Sequence, residues 1–149
     1  MSECKPFEEK LKGLLDAMSP AARRRLAVDI AKRLRQSQQQ RIKSQKAPDG
    51  TAYVPRKPQR IREKKGRVKR AMFAKLRNAR YLKASGDDKS AVVEFTGKVK
   101  RIARVHQSGL KDKPGRNSAE VQYPARPLLG FSDEDTALVE NIIIEHLAL

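Results

Sequence analysis

Few side chains in this sequence are of a type and spacing to do chemistry. His106 is the one histidine in a central position, and it is followed by Gln107 inside the run Val105-His106-Gln107-Ser108-Gly109. An imidazole acting as a general base needs an acid or a nucleophile held beside it, and the sequence specifies neither. His106 and Gln107 therefore read as groups that satisfy backbone at the end of a helix. Asp87-Asp88 are adjacent acids in a turn, which solvation explains without a metal. Asp133, Glu134 and Asp135 follow Ser132 and are explained by helix capping. Cys4 is the single cysteine, so no intramolecular disulfide is expected; with His106 and His146 it leaves no ligand set for structural zinc. The glycines form neither GxGxxG nor a P-loop. No catalytic, cofactor-binding or metal site is assigned, and an enzyme is the least supported class.

The remaining chemistry is electrostatic. The chain of 149 residues has 34 Lys plus Arg against 17 Asp plus Glu, a net charge of +17 that calls for an anionic partner. Between Arg56 and Lys83 there are thirteen Lys or Arg and one acid, Glu63. From Arg56 to Arg70 the apolar residues are Ile61 and Val68 alone, so this run reads as a mobile basic loop. Two readings of it stay open. It is a solvated linker, or an arm that meets phosphates or an acidic protein through Arg62, Lys64, Lys65, Arg67, Lys69 and Arg70. Nucleic-acid binding has the charge and lacks a reader: there is no RRM aromatic pair, zinc finger or convincing helix-turn-helix. Tyr53, Phe73 and Tyr81 are too few and too irregular for a stacking platform. Any such contact would be sequence-blind. No apolar run approaches the roughly 20 residues of a membrane helix, and no signal-peptide core is present, so a cytoplasmic place of synthesis and no membrane partner are expected.

The elements that must position these groups follow from periodicity. One domain over residues 1–149 is expected, with a core kept small by 38% hydrophobic and 5% aromatic residues. Residues 6–47 supply helices. Phe7, Leu11, Leu14 and Leu15 make a short amphipathic helix over 6–17, Ser19-Pro20 caps the next, and Leu26, Ile30 and Leu34 give that one a buried stripe. Nothing breaks it before Ala47-Pro48. Its polar stretch Gln36 to Gln40 reads as a solvated turn that leaves the core or meets a partner. Residues 48–70 are the loop, opening on the turn Pro48-Asp49-Gly50. Residues 71–131 form an α+β core: a brief helical pattern at Met72, Phe73 and Leu76, a hairpin of 80–84 with 91–96, a helix over 98–107 that turns Val99, Ile102, Ala103 and His106 to one side and stops at Ser108-Gly109, a charged loop over 111–118, and a strand at Ala119, Val121 and Tyr123. Tyr123 to Ser132, YPARPLLGFS, is the most constrained stretch. Pro124 and Pro127 remove donors and fix φ, so it is a rigid extended connector, with Gly130 permitting a tight turn. Ser132 and Asp135 then open a C-terminal helix over 132–149, carrying Leu138, Ile142, Ile143 and Leu147 on one face. The predicted fold is α+β, a small antiparallel sheet packed against long N-terminal and C-terminal helices.

Three pieces in fixed order carry a resemblance: QKAPDGTAYVP (Gln45 to Pro55) after a long helix, VHQSG (Val105 to Gly109) after a short one, and YPARPLLGFSDED (Tyr123 to Asp135) before the terminal helix. Together they resemble the phage virion morphogenesis family, in particular the tail completion proteins of contractile-tailed phages. Ser108 and Leu128 depart from the residues most common there. The resemblance implies a non-enzymatic structural subunit of the virion tail or neck, assembled in the host cytoplasm, acting late at the head-proximal end and needed for head-tail joining. It implies a homo-oligomeric ring, hexameric to fit the tail, with tail terminator and head connector as neighbours; in such a ring the basic arm would meet the acidic C-terminal helix of the next copy, an acidic face of those neighbours, or phage DNA without regard to sequence. The site expected from it is a set of contacts: Pro124, Arg126, Pro127 and Leu129 fix the crossover with Gly130, and His106, Gln107 and Gly109 hold the neighbouring helix end. The alternative is a nonspecific nucleic-acid-binding protein acting through its basic central segment.

Overall fold

Residue preference and capping explain each element of the computed structural model, which describes residues 5–57 and 71–148. Helix α1 (Lys5–Ala17) ends before Ser19, whose hydroxyl accepts from the Ala22 N–H at 3.1 Å and so caps α2 (Pro20–Lys43) with proline in the first turn. α2 stops short of the expected Ala47. Gln45 adopts φ of 60°, the Gln45 N–H reaches the Ile42 carbonyl and the Lys46 N–H reaches Arg41, so a Schellman-type closure ends the helix with glutamine in place of the usual glycine.

The expectation of a solvated second half of α2 holds at Gln36 and Gln40 and fails on the face that carries Gln38. Gln38 is 4% exposed, Leu34 and Ile42 are buried, and α4 (Asp133–Leu147) covers this half from one side. Gln38 and Gln39 are hydrogen-bonded to protein, whereas Gln36 and Gln40 stay exposed.

A hairpin of β1 (Leu82–Gly86) and β2 (Ala91–Phe95) packs on α2. Its register sets Leu82 opposite Phe95 and Ala84 opposite Val93, which puts these four on the core face as alternation predicts, while Ala91, expected there too, pairs with Gly86 and is exposed. The turn is tighter than expected: Asp87 Oδ1 accepts from the N–H groups of Lys89 and Ser90, closing the connection in four residues. Gly86 lies so close to α2 that a Cβ there would stand 2.7 Å from the backbone of Ala27 and Val28. The Met72 to Arg77 stretch forms successive turns rather than a helix, with Phe73 at φ of 66°.

Helix α3 (Gly97–Ser108) follows β2 and ends at Gly109, φ 67°. Val99 and Ala103 face the core as expected, but Ile102 is 48% exposed and Val105 is buried in its place. The charged loop contains an unforeseen two-residue strand, β3 (Lys111–Asp112), paired antiparallel with β4 (Val121–Gln122). α4 runs antiparallel to α2: Asp135 meets Ser37, Gln38 and Arg41, while His146 meets Asp29 at 2.9 Å and Glu145 meets Arg33 at 3.3 Å. Ile142 is fully buried between them, and Ile144 is left 60% exposed.

The fold is thus α+β, with two small antiparallel sheets rather than one. Its core joins Ile42, Tyr53, Leu76, Leu82, Phe95, Ala103 and Leu128. The expected basic loop falls largely on residues 58–70, and Arg62, Lys64, Lys65, Arg67, Lys69 and Arg70 lie outside the described residues.

Candidate functional site

The connector from Tyr123 to Phe131 has no regular structure, yet Leu128 in its middle is fully buried. Buried irregular backbone must find partners for every N–H and C=O. The chain solves this twice over. Pro127 carries no N–H, and the four N–H groups around it are all engaged: Arg126 to the His106 carbonyl at 2.7 Å, Leu128 and Leu129 to Gln107 Oε1 at 2.8 and 2.9 Å, and Gly130 to Gln38 Oε1 at 3.1 Å. The carbonyls are met in turn. Tyr53 Oη donates to Pro127 at 2.9 Å, Arg41 Nη2 to Leu128 at 2.7 Å, and Gln107 Nε2 to Leu129 at 2.9 Å. Burial pushes the Tyr53 phenol up to about 12, so its hydroxyl stays a donor.

Gln107 therefore holds the connector, and only in that sense a helix end: its amide oxygen accepts from two N–H groups while its nitrogen donates to a carbonyl. Gly109 next to it needs its left-handed φ, and a Cβ there would come within 2.8 Å of the Ala125 nitrogen. Gly130 does not make the expected turn. Its φ is not positive; the absent side chain instead lets Pro48 pack on the connector, since a Cβ would lie 2.6 Å from Pro48 Cγ.

Arg126 points inward. It is 6% exposed, and its Nε and Nη2 donate to the carbonyls of Val54 at 2.7 Å and Pro55 at 3.2 Å, tying the connector to the segment before the basic run. Beside it four rings form a chain: Tyr53 to Phe73, Phe73 to His106 and His106 to Tyr123, at centroid distances of 5.6, 4.9 and 5.1 Å, all edge-on. Burial, with Arg126 and Arg56 nearby, pushes the His106 imidazolium down, and its buried Nδ1 has no hydrogen-bond partner. His106 serves as a neutral ring in an aromatic stack.

The far end of the connector is fixed by Asp135. Its carboxylate, fully buried, accepts from the Ser132 N–H at 3.1 Å in the expected capping box, and also from the Ser37 hydroxyl, Gln38 Nε2 at 3.1 Å and Arg41 Nη1 at 3.3 Å. Burial alone would raise this carboxyl, but the hydrogen bonds from Ser37, Ser132 and Gln38 hold it below the usual carboxylate range. The sequence assigns Asp135 to capping alone, singles out neither Gln38 nor Arg41, and makes Tyr53 a loop anchor with Val54 and Pro55 rather than a donor to the connector. The available signal was the backbone itself: a proline connector with buried leucines needs side-chain partners, and glutamines on an otherwise polar helix are suited to supply them.

Among the described residues no group of three His, Cys, Asp or Glu could hold a metal, and no helix is long and apolar enough to cross a membrane. What the arrangement does chemically is to immobilise an irregular surface segment. Pro124, Arg126, Pro127, Leu129 and Gly130 are brought together with His106, Gln107 and Gly109, and beside them Phe131 is left 70% exposed.

No solved structure matches the chain. It is 52% identical over 148 residues to tail completion protein S of Escherichia phage P2, an alignment covering 99% of each chain. The model of the phage virion morphogenesis family matches residues 2–148. With that match over nearly its whole length, and with the clasped proline connector at its centre, the chain belongs to the phage virion morphogenesis family.

Proposed function

We propose that this protein is a tail completion subunit of a contractile-tailed phage: a structural, non-enzymatic component that acts late in tail assembly at the head-proximal end and makes the tail competent to join the DNA-filled head. The observation that carries the reading is the end-to-end identity of 52% with a protein named tail completion protein S. The architecture supports it. A connector with every N–H from Arg126 to Gly130 engaged presents Phe131 on a rigid base, which suits ordered contacts with neighbours such as a tail terminator or head connector. The subunit works as a homo-oligomeric ring, a hexamer matching the tail, within the virion neck.

The test is infection in which this protein is not made, with the lysate viewed by electron microscopy. Full heads and unjoined tails side by side, rescued by supplying the protein, are the expected result. Normal virions would refute the reading.

The net charge of +17 favours a second contact, with DNA passing the neck, through Arg62, Lys64, Lys65, Arg67, Lys69 and Arg70. Affinity for duplex DNA of any sequence should then fall steeply with salt. A salt-independent or absent shift would remove that contact and the nucleic-acid-binding alternative together.

A further inference from the structure

The outward faces of α3 and α4 carry opposite charge, and each leaves an isoleucine in water. On α3, Lys98, Arg101 and Arg104 follow one another three apart along an exposed ridge, with Ile102, 48% exposed, beside Lys98. The helix contains no acid; Arg101 meets Asp112 of β3 at 2.6 Å and remains 79% exposed. On α4, Asp133, Ala137, Glu140 and Ile144 fall on one exposed strip opposite the buried Ile142. α4 has five acids and no Lys or Arg, in a chain whose net charge is +17.

Within one copy these faces do not serve each other: α3 packs on β2 and α4 packs on α2. Two copies of so basic a chain repel at long range, and association must set an acidic face on a basic one. A two-fold pairing of α4 with α4, or of α3 with α3, would oppose like charges. A head-to-tail contact does not, and repeated rotation of such a contact closes a ring.

Resting on the ring reading above, we infer that the Asp133-Glu140-Ile144 strip of one copy docks on the Lys98-Arg101-Arg104 ridge of the next, with Ile144 and Ile102 buried inside the charged border. The contact is between copies of this chain, and it uses the ordered helix α3 rather than the basic loop.

The test is charge reversal on exposed positions, with circular dichroism to establish that each variant is folded. Lys98→Glu with Arg104→Glu, and Asp133→Lys with Glu140→Lys, should each weaken self-association about thirtyfold, taking each lost attraction and gained repulsion as a surface pair. Mixing the two variants should restore association between unlike copies. Light scattering reads this on free protein. On isolated tails, Arg104→Cys with Glu140→Cys in a Cys4→Ser background, treated with a bismaleimide, should give a ladder of multimers. Undiminished association of both reversed variants, or tail-bound protein that yields no ladder, would overturn this contact and leave the tail reading standing. Protein that never binds tails would count against the tail reading itself.

Discussion

Replacing Gln107 with alanine removes three hydrogen bonds at once and leaves three backbone groups without a protein partner. The N–H groups of Leu128 and Leu129 lose their acceptor and the Leu129 carbonyl loses its donor, at native distances of 2.8, 2.9 and 2.9 Å. An unsatisfied buried group costs about 1–3 kcal/mol, and these three are half-buried, so water recovers part of the loss; about 2–4 kcal/mol is expected. That is a large share of the roughly 5–15 kcal/mol that holds a domain folded. Urea unfolding followed by far-UV circular dichroism is the assay, with a lowered midpoint and an unchanged slope as the expected result. Gln107→Glu keeps an oxygen for both N–H groups and should retain more stability than Gln107→Ala. A loss under about 0.5 kcal/mol for Gln107→Ala, within the range of an ordinary surface substitution, would refute the assignment of the connector's rigidity to this side chain.

Asp135→Ala should cost about 3–5 kcal/mol, because it leaves the Arg41 guanidinium buried without its carboxylate, and the shift in urea midpoint measures it. The folded Asp135 carboxyl lies below the ordinary carboxylate value of 3.8, so its contribution is complete above that value and is lost as pH falls toward the folded one; acid unfolding should come later and more gradually in Asp135→Asn than in the parent chain, relative to each at pH 7. His106 has the opposite charge chemistry and the same sign of dependence. Its imidazolium is disfavoured by burial, so stability should be complete above the ordinary histidine value of 6.5 and decline as pH falls below it, and His106→Phe should flatten this part of the profile while keeping the aromatic stack. Gly86→Ala should lower stability by about 1–3 kcal/mol, since a Cβ 2.7 Å from α2 backbone can be relieved only by moving the hairpin.

Local signals in this sequence were strong where one residue decides the backbone. Ser19-Pro20, Ser132 with Asp135, and Gly109 each fixed a helix boundary that the structure reproduces, because capping depends on residues within three positions of each other. The alternation of Val93 and Phe95 gave the inner face of β2 for the same reason. What was not legible depends on distance along the chain. Gln38 looks solvated in its own helix and is buried only because Gly130 and Asp135, some ninety positions on, bring their polar groups to it. Gln45 ends α2 in a conformation that sequence assigns to glycine, held by its own amide, which accepts from the Met72 N–H at 2.8 Å and donates to the Met72 carbonyl at 2.9 Å. Ile102 is exposed and Val105 buried against the helical pattern, and β3 and β4, strands of two residues, leave no periodicity to read. Arg126 was legible as important from its place between two prolines; its inward direction, toward the carbonyls of Val54 and Pro55, was not.

The measurement that tests the account most directly is cryo-electron microscopy of tails purified from infections with and without this protein. A symmetric ring of density at the head-proximal end, present with the protein and missing without it, is the predicted result. Identical tail ends in the two preparations, or extra density at the distal end, would contradict the account.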